Sequence, residues 1–206
     1  MFIHRGLLKP HFKENHLSSF KACIKDKFNL EVDIHFSQND TPVCIHDYNL
    51  KRFWNVQKPI RSLLDQHLKQ YNITKLSELL KIITHQTKLL VEIKPVLNTN
   101  TLNRLLETCH GFHSSVHFIS FKENNLIKIR KITQDFKLGL IFHHHSQHQK
   151  IQQALNQKHI HFFVLPAAGL FNSKIKKIRK KKYFYTIKNI KNMCARPNYI
   201  VENVIN

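Results

Sequence analysis

The sequence has little glycine and few acidic residues, and it lacks a long apolar run. Only 4 of its 206 residues are glycine, whereas about 7% is usual in globular proteins. No apolar stretch reaches the roughly 18 residues that a membrane-spanning helix requires. The segment Met1–Pro10 carries charged residues and has no apolar stretch of signal-peptide length. We therefore expect a cytoplasmic protein.

Cysteine is also scarce, and its placement argues against two kinds of small domain. The four cysteines are Cys23, Cys44, Cys109 and Cys194, and no two of them form a Cys-x-x-Cys pair. Neither a zinc knuckle nor a disulfide framework is indicated. Hydrophobic residues make up 42% of the chain and charged residues 22%, which is the ordinary globular range. The length predicts a single domain over residues 1–206.

Positive charge dominates the composition. The chain has 33 Lys and Arg against 13 Asp and Glu, so its formal net charge is +20. Such a balance is typical of proteins that bind nucleic acid or an anionic membrane. The basic residues, however, are 26 Lys and only 7 Arg, beside 22 Ile and 18 Asn. An AT-rich genome produces this profile at permissive positions, so the charge can equally be a codon bias.

Strand-like and helix-like segments alternate along the whole chain. After a short apolar opening at Phe2–Gly6, the eight predicted strands are Leu30–Phe36, Pro42–Ile45, Leu89–Ile93, Val116–Ser120, Phe136–Phe142, Phe162–Leu165, Phe184–Ile187 and Tyr199–Val201. The predicted helices are Leu17–Lys27 with Asn15 as its cap, Leu76–Thr84, Thr101–Cys109, Lys122–Thr133, Gln147–Lys158 and the basic segment Ser173–Lys182. This pattern predicts an α/β fold, a compact (β/α)8 TIM barrel rather than an open sheet. We expect the final helix to be absent or minimal.

Carboxylates occupy one face of two predicted strands. In Leu30–Phe36, Glu31 and Asp33 alternate with apolar residues, and in Leu90–Pro95 Glu92 and Lys94 alternate with Val91 and Ile93 in the same way. In a barrel the apolar face packs against the helices, so these polar side chains point inward. Buried carboxylates are costly unless a cation binds them, and an oxygen-rich set suits Mg²⁺ or Ca²⁺. The alternative is a strand with one solvated face.

Two histidines follow short strands, where barrel enzymes keep their chemistry. His4 follows Phe2-Ile3, and His46 follows Val43-Cys44-Ile45. Near a carboxylate-bound cation, two histidines suit acid–base catalysis close to neutral pH. A lone histidine is otherwise most often structural. The run His143-His144-His145 could bind a soft metal or form a solvated loop.

Taken together, these residues resemble the glycerophosphodiester phosphodiesterase family. The resembling motifs are His4-Arg5-Gly6, Glu14-Asn15, Glu31-Val32-Asp33, the segment Ser37–Asp47 with His46-Asp47, Leu76–Leu80, Glu92-Ile93-Lys94, Ser120-Phe121 and Tyr183–Ile187. They cover essentially the whole chain. His-Arg-Gly alone is a weak signal, but the ordered set of His-Arg-Gly, Glu-x-Asp, His-Asp and Glu-x-Lys is specific.

The resemblance implies a metal-dependent hydrolysis of glycerophosphodiesters to sn-glycerol 3-phosphate and an alcohol. Glu31, Asp33 and Glu92 would hold one divalent cation, Mg²⁺ or Ca²⁺, and His4 and His46 would be the general acid and base. Arg5 and Lys94 would contact the phosphate, and Phe121 would contact the substrate. The nucleophile would be water or a neighbouring hydroxyl of the substrate.

Several positions depart from the family's pattern. Lys13 and His16 stand where the family has Pro and Thr around Glu14-Asn15, and Arg52-Phe53-Trp54 stands where it tends to have Arg-Thr-Thr. Tyr185 replaces a late tryptophan, and Glu202–Ile205 replaces a Thr-Asp-x-Pro motif. The region before Leu76 is short, so we expect a reduced glycerol-binding insertion. These departures bear on the headgroup of the substrate more than on the class of reaction.

Three other functions remain alternatives. A related barrel phosphodiesterase could act on lysophospholipids at a membrane, because the segment Lys174–Lys182 is basic with Ile175 and Ile178 among its lysines. A basic nucleic-acid-binding protein is a second alternative, but no recognition-module signature is present, so we expect no nucleic acid partner. A degenerate barrel that serves as a scaffold is the third. The leaving alcohol and the oligomeric state stay open.

Overall fold

A sheet of parallel strands closes on itself to form the centre of the molecule. The computed structural model describes residues 1–7, 13–143, 148–188, 190–191, 198–202 and 204–205. The described strands are β1 (Phe2–His4), β2 (Asn29–Phe36), β3 (Pro42–Cys44), β4 (Asn49–Leu50), β5 (Val56–Pro59), β6 (Leu89–Ile93), β7 (Val116–Ser120), β8 (Lys137–Ile141), β9 (Phe162–Pro166), β10 (Lys181–Ile187), β11 (Ile190–Lys191), β12 (Tyr199–Val201) and β13 (Val204–Ile205). The sheet order is β1-β12-β10-β9-β8-β7-β6-β2-β3, and the additional pairing of β1 with β2 closes it.

Eight of these strands run parallel and form the predicted (β/α)8 barrel. They are β1, β2, β6, β7, β8, β9, β10 and β12. The strand predicted at Pro42–Ile45 exists as β3, but it pairs antiparallel with the end of β2 and lies outside the barrel. The smaller pairings are β4 with β5 and β11 with β13.

Helices connect most of the barrel strands. Their bounds are α1 (Leu17–Lys25), α2 (Lys51–Trp54), α3 (Asp65–Gln70), α4 (Leu76–Leu80), α5 (Thr99–Thr108), α6 (Glu123–Ile132), α7 (His148–Leu155) and α8 (Ser173–Lys176), with 3₁₀ turns at Ile60–Ser62 and Ala167–Phe171. Asn98 caps α5 by accepting a hydrogen bond from the Thr101 amide. The predicted cap of α1 is wrong, because His16 occupies that position and its side chain accepts from Ser18.

The predicted basic helix Ser173–Lys182 is also wrong. Only its first turn, α8, is helical, and Lys181 and Lys182 already belong to β10. Ile175 and Ile178 are both buried, because they pack into the layer between barrel and helices. They are therefore not available to contact a membrane. Within the described residues, no helix is long and apolar enough to span a bilayer.

Alternation along each strand separates two apolar layers. Outward residues such as Leu30, Val32 and Phe118 pack against the helices in one large cluster. Inward residues form a second cluster that fills the barrel: Phe2, Leu90, Ile119, Ile141, Phe162, Val164, Tyr183 and Ile200. The same alternation turns Glu31, Asp33 and Glu92 inward, as predicted.

A segment between β3 and α4 forms a small layer of its own beside the barrel mouth. It carries β4, α2, β5 and α3, and its apolar side chains pack around Val43, Ile45, Leu50, Ile60, Leu63, Leu68 and Ile73. Cys44 and Cys109 have buried thiols and form no disulfide. Cys194, His144, His145 and Asn203 lie outside the described residues.

Candidate active site

Three buried carboxylates meet at the carboxyl end of neighbouring strands. Asp33 on β2 is in register with Glu92 on β6, and Glu31 lies two residues before Asp33 on the same inward face. Each offers a carboxylate oxygen, and these three atoms lie within 4.8 Å of one another. Oδ1 of Asp33 is buried and accepts no hydrogen bond from a described residue. An unsatisfied oxygen in an all-carboxylate set fits a hard divalent cation.

Two cationic side chains lie against the same carboxylates. Nε of Arg5 is 2.9 Å from Oδ2 of Asp33. Nζ of Lys94 is 2.8 Å from Oε1 of Glu92 and 3.4 Å from Oδ1 of Asp33. These two positive charges face three carboxyl groups, so the group carries a net charge of −1 when all three are ionised.

The carboxyl pKa values divide accordingly. Burial, followed by repulsion from Asp33, raises the pKa of Glu31 well above its usual range. The pKa of Glu92 is raised by the same two causes. Burial opposes the ionisation of Asp33 as well, but Arg5 and Lys94 outweigh it and lower its pKa. Asp33 is therefore the most easily ionised of the three carboxyl groups, and added positive charge would favour the ionised forms of the other two.

The backbone after β1 bends sharply to place Arg5. Arg5 has φ 58° and Gly6 has φ 87°, and the amide of Arg5 donates to the backbone oxygen of Glu31 at 2.9 Å. A β-carbon at Gly6 would lie 2.4 Å from Oγ of Ser19. Glycine is thus required for conformation and for space.

Asn15 has a role that the sequence did not reveal. Its Nδ2 donates to Oδ2 of Asp33 at 3.0 Å, and its Oδ1 accepts from the amide of Asp33 at 3.2 Å. Asn15 is itself buried and has φ 54°, which asparagine tolerates better than most residues. It fixes the orientation of the central carboxylate.

The two predicted catalytic histidines lie near this group. Nε2 of His4 is 3.8 Å from Oε2 of Glu31, and burial, with help from Arg5, lowers the pKa of His4 to about 4. Nδ1 of His46 is 2.7 Å from Oδ1 of Asp47. Both imidazoles are close enough to contribute to the lowered pKa of Asp33. A third imidazole, His35, contacts the backbone oxygen of His46 through its Nε2 at 3.2 Å.

A chain of alternating charges joins His46 to Arg5. Nε of Arg52 donates to Oδ2 of Asp47 at 2.6 Å, and both of its terminal nitrogens donate to the carboxylate of Glu14. Glu14 in turn accepts from Nη1 of Arg5 at 3.4 Å. Hydrogen bonds from Arg52 and His46 overcome the effect of burial and lower the pKa of Asp47.

Aromatic rings border the other side of the mouth. The ring of Phe121 stacks on His143 with centroids 4.2 Å apart and meets Tyr185 edge-on at 6.2 Å. The hydroxyl of Tyr185 donates to the backbone oxygen of Phe142 at 2.7 Å. Phe121 therefore lies at the rim, where a substrate could touch it.

Comparison of the sequence with protein-family models identifies a family that contains all of these residues. A family model described as the glycerophosphoryl diester phosphodiesterase family matches residues 4–195. The chain belongs to this family. The match includes every residue of the candidate site, from His4 to Tyr185.

Individual relatives of the family agree with this assignment. Over 82 residues the chain is 37% identical to mouse (Mus musculus) glycerophosphodiester phosphodiesterase domain-containing protein 4, a segment that covers 38% of this chain and 12% of that protein. A glycerophosphodiester phosphodiesterase structure from Thermotoga maritima superposes with a TM-score of 0.78 at 18% identity, covering 98% of this chain and 93% of that one. A phosphodiesterase from Oleispira antarctica, solved in complex with the product sn-glycerol-3-phosphate, gives 0.76 at 20% identity, with 91% and 85% covered. These structures share the barrel fold.

The structure brings together all eight predicted site residues at one barrel mouth. His4, Arg5, Glu31, Asp33, Glu92 and Lys94 form its centre, His46 lies beside Asp47, and Phe121 lies at the rim. Sequence reasoning missed the roles of Asn15 and Arg52. The motif Glu14-Asn15 drew attention to Asn15, but the residue that Asn15 contacts, Asp33, is 18 residues away in the sequence. Nothing local pairs Arg52 with Glu14.

Proposed function

We propose that this chain hydrolyses glycerophosphodiesters to sn-glycerol 3-phosphate and an alcohol, with one divalent cation, Mg²⁺ or Ca²⁺. The observation that carries the proposal is the buried group of Glu31, Asp33 and Glu92 with His4 and His46 beside it. The family match and the product-bound relative from Oleispira antarctica support the choice of substrate.

The three carboxylates would hold the cation through their oxygens. A bound cation would supply positive charge beside the phosphate, where negative charge grows as the ester bond breaks. Arg5 and Lys94 add to that charge, since burial of their ionised forms is outweighed by the neighbouring carboxylates and the pKa of each is raised. Both side chains therefore remain cationic and available to orient the phosphate.

The histidines would exchange the protons. Asp47 is ionised and bonded to Nδ1 of His46, so we assign the ring hydrogen to Nδ1 and leave Nε2 to exchange a proton with the reacting oxygen. His4 would serve the complementary role from the end of β1. One ring accepts the proton of the nucleophile and the other donates a proton to the leaving alkoxide.

The decisive assay measures glycerol 3-phosphate released from several glycerophosphodiesters, with Mg²⁺ and with Ca²⁺. His4→Ala and His46→Ala are each expected to lower kcat by about 10²- to 10⁴-fold, the usual contribution of a general acid or base. His85→Ala is the matched control, because His85 is exposed in the connection before β6, at the opposite end of the barrel. Release of no glycerol 3-phosphate from any of the diesters by the unaltered protein would refute the proposal.

A further inference from the structure

Three lysines face into the barrel at the end opposite the three carboxylates. Lys88 directly precedes β6, and Lys137 and Lys181 begin β8 and β10. Each stands two residues before a position that meets the apolar cluster inside the barrel, so each shares the inward face of its strand. Parallel strands begin at the same end of a barrel, and the three side chains therefore meet at that end.

A buried imidazole on β7 records how closely these lysines approach. His117 is in register with Lys137, and its ring centre lies 6.0 Å from that of Phe162 inside the barrel. Burial, followed by repulsion from the three lysines, lowers the pKa of His117 to about 4. All three ammonium groups thus act on one ring. We call His117 and the three lysines the barrel floor.

No carboxylate balances the charges of the barrel floor. All 13 acidic side chains of the sequence lie in the described parts of the chain, and none of them forms an ion pair with Lys88, Lys137 or Lys181. At the opposite end of the barrel, Arg5 and Lys94 each contact a carboxylate. The floor is the end where like charges repel one another with no anionic side chain between them.

The ammonium groups of the barrel floor keep hydrogen-bond donors free. Nζ of Lys88 donates to the backbone oxygen of Ser114 at 2.9 Å, which uses one of its three hydrogens. Nζ of Lys181 lies 5.0 Å from the ring centre of Tyr183, whose side chain belongs to the cluster inside the barrel. That contact holds the Lys181 ammonium over the interior of the barrel.

His117 adds a buried polar atom without a partner. Its side chain is only 8% exposed, and its Nδ1 is buried and bonds to no described residue. Such atoms are rare in folded proteins. A neutral imidazole has one N–H donor, so an anion held by the lysines would bring a hydrogen-bond acceptor to this ring.

We propose that the barrel floor binds a compact anion with two negative charges, namely phosphate or a phosphate monoester. Lysine is a usual ligand of phosphate, and three ammonium groups exceed the charge of one such anion. The lysines converge on one ring, whereas sites for a nucleic acid strand spread their cations along a groove. The barrel floor shares no residue with the candidate active site, so this inference does not rest on the proposed function.

Nuclear magnetic resonance of the histidine rings tests the proposal without metal or turnover. The metal-free protein is titrated with sodium phosphate and with glycerol 3-phosphate at about pH 7.5, where both carry close to two charges. His117→Gln identifies the His117 signal. We expect both anions to shift that signal to saturation and sodium chloride of equal ionic strength to leave it in place. Binding at the candidate active site would instead shift the signals of His4 and His46.

Replacing the floor lysines removes the binding groups. Lys88→Gln, Lys137→Gln and Lys181→Gln should each weaken phosphate binding, measured by the His117 shift, by about tenfold, the effect of losing one hydrogen bond to a charged group. The triple variant should lose the shift altogether. Because it relieves repulsion between like charges, its Tm should be no lower than that of the unaltered protein. If the triple variant does not fold, the three single variants decide.

A matched control removes the same charge from exposed positions elsewhere. The triple variant Lys21→Gln, Lys69→Gln and Lys150→Gln should keep the full phosphate-dependent shift. The absence of a saturable shift in the unaltered protein, an equal shift with chloride, or an unchanged shift in the floor variants would overturn the proposal. It would also be overturned if vesicles of phosphatidic acid or a decathymidylate shifted His117 while phosphate did not, because the floor would then serve a membrane or a nucleic acid.

Discussion

Replacing Glu31 by glutamine removes one charge from the buried carboxylates while keeping the side chain's shape. In the metal-free protein, Glu31, Asp33 and Glu92 face two cations, Arg5 and Lys94. The amide relieves one uncompensated negative charge, so metal-free Glu31→Gln should unfold at the same temperature as the unaltered protein or higher. It also removes one of three ligand oxygens of a hard cation.

The expected size of the metal effect follows from linkage. A ligand at 100 times its dissociation constant stabilises the native state by about 2.7 kcal/mol. For a domain of this length, each kcal/mol moves the melting temperature by about 2–4 °C. Saturating Mg²⁺ or Ca²⁺ should therefore raise the Tm of the unaltered protein by about 5–11 °C, and Glu31→Gln should lose most of that rise.

Differential scanning calorimetry with and without each cation measures both quantities. Glu107→Gln is the matched control, because Glu107 is exposed on α5 and pairs only with Arg104 among its described ion pairs; it should keep the full metal-dependent rise. If neither cation moves the Tm of the unaltered protein, or if Glu31→Gln keeps the rise, the carboxylate group does not bind a cation as argued.

Two further predictions concern stability. Asp65 accepts from Ser37 at 2.6 Å, from Thr41 at 2.9 Å and from Lys75 at 2.8 Å, so Asp65→Ala should lower the free energy of unfolding in urea by about 1–3 kcal/mol at neutral pH. Burial raises the pKa of Asp65, but these three partners outweigh it and lower the pKa; the difference should therefore persist above the unfolded-state pKa of about 4 and shrink as the pH falls through the lower folded value. A gap that widened in acid would contradict this. Gly139→Ala would place a β-carbon 2.1 Å from the Phe162 ring inside the barrel and should cost about 1–3 kcal/mol, with Phe162→Leu restoring part of the loss; wild-type stability of Gly139→Ala would show that the ring moves freely.

The barrel was predictable because the alternation of apolar and polar residues within a short segment is enough to identify a strand. Glu31 and Asp33 between Leu30, Val32 and Ile34 require only a period of two, and the register of β2 with β6 then brings in Glu92. Elements whose conformation depends on tertiary contacts were not predictable. The lysine-rich segment after Asn172 has helical spacing, yet pairing of Lys181 with Phe162 draws it into the sheet.

The residues of the site also fall into those that local sequence identifies and those that depend on tertiary contacts. Residues on strands, or directly after them, were found from position, as with His4 and Glu92. Asn15 looked like a helix cap because asparagine is common there, and its bonds to Asp33 depend on how the loop folds over the barrel. Arg52 bridges Glu14 across 38 residues, a distance over which sequence spacing carries no information.

One carboxylate, Glu14, serves two arginines that come from different parts of the chain. Arg5 follows the first barrel strand, and Arg52 belongs to the inserted layer that carries His46 and Asp47. Arg5, proposed to bind the phosphate, and His46, proposed to transfer a proton, are thus linked through one network of ion pairs. In this network Glu14 neutralises both arginines, and Asp47 pairs with Arg52. The energetic effects of changes at Arg5 and Arg52 should therefore not sum.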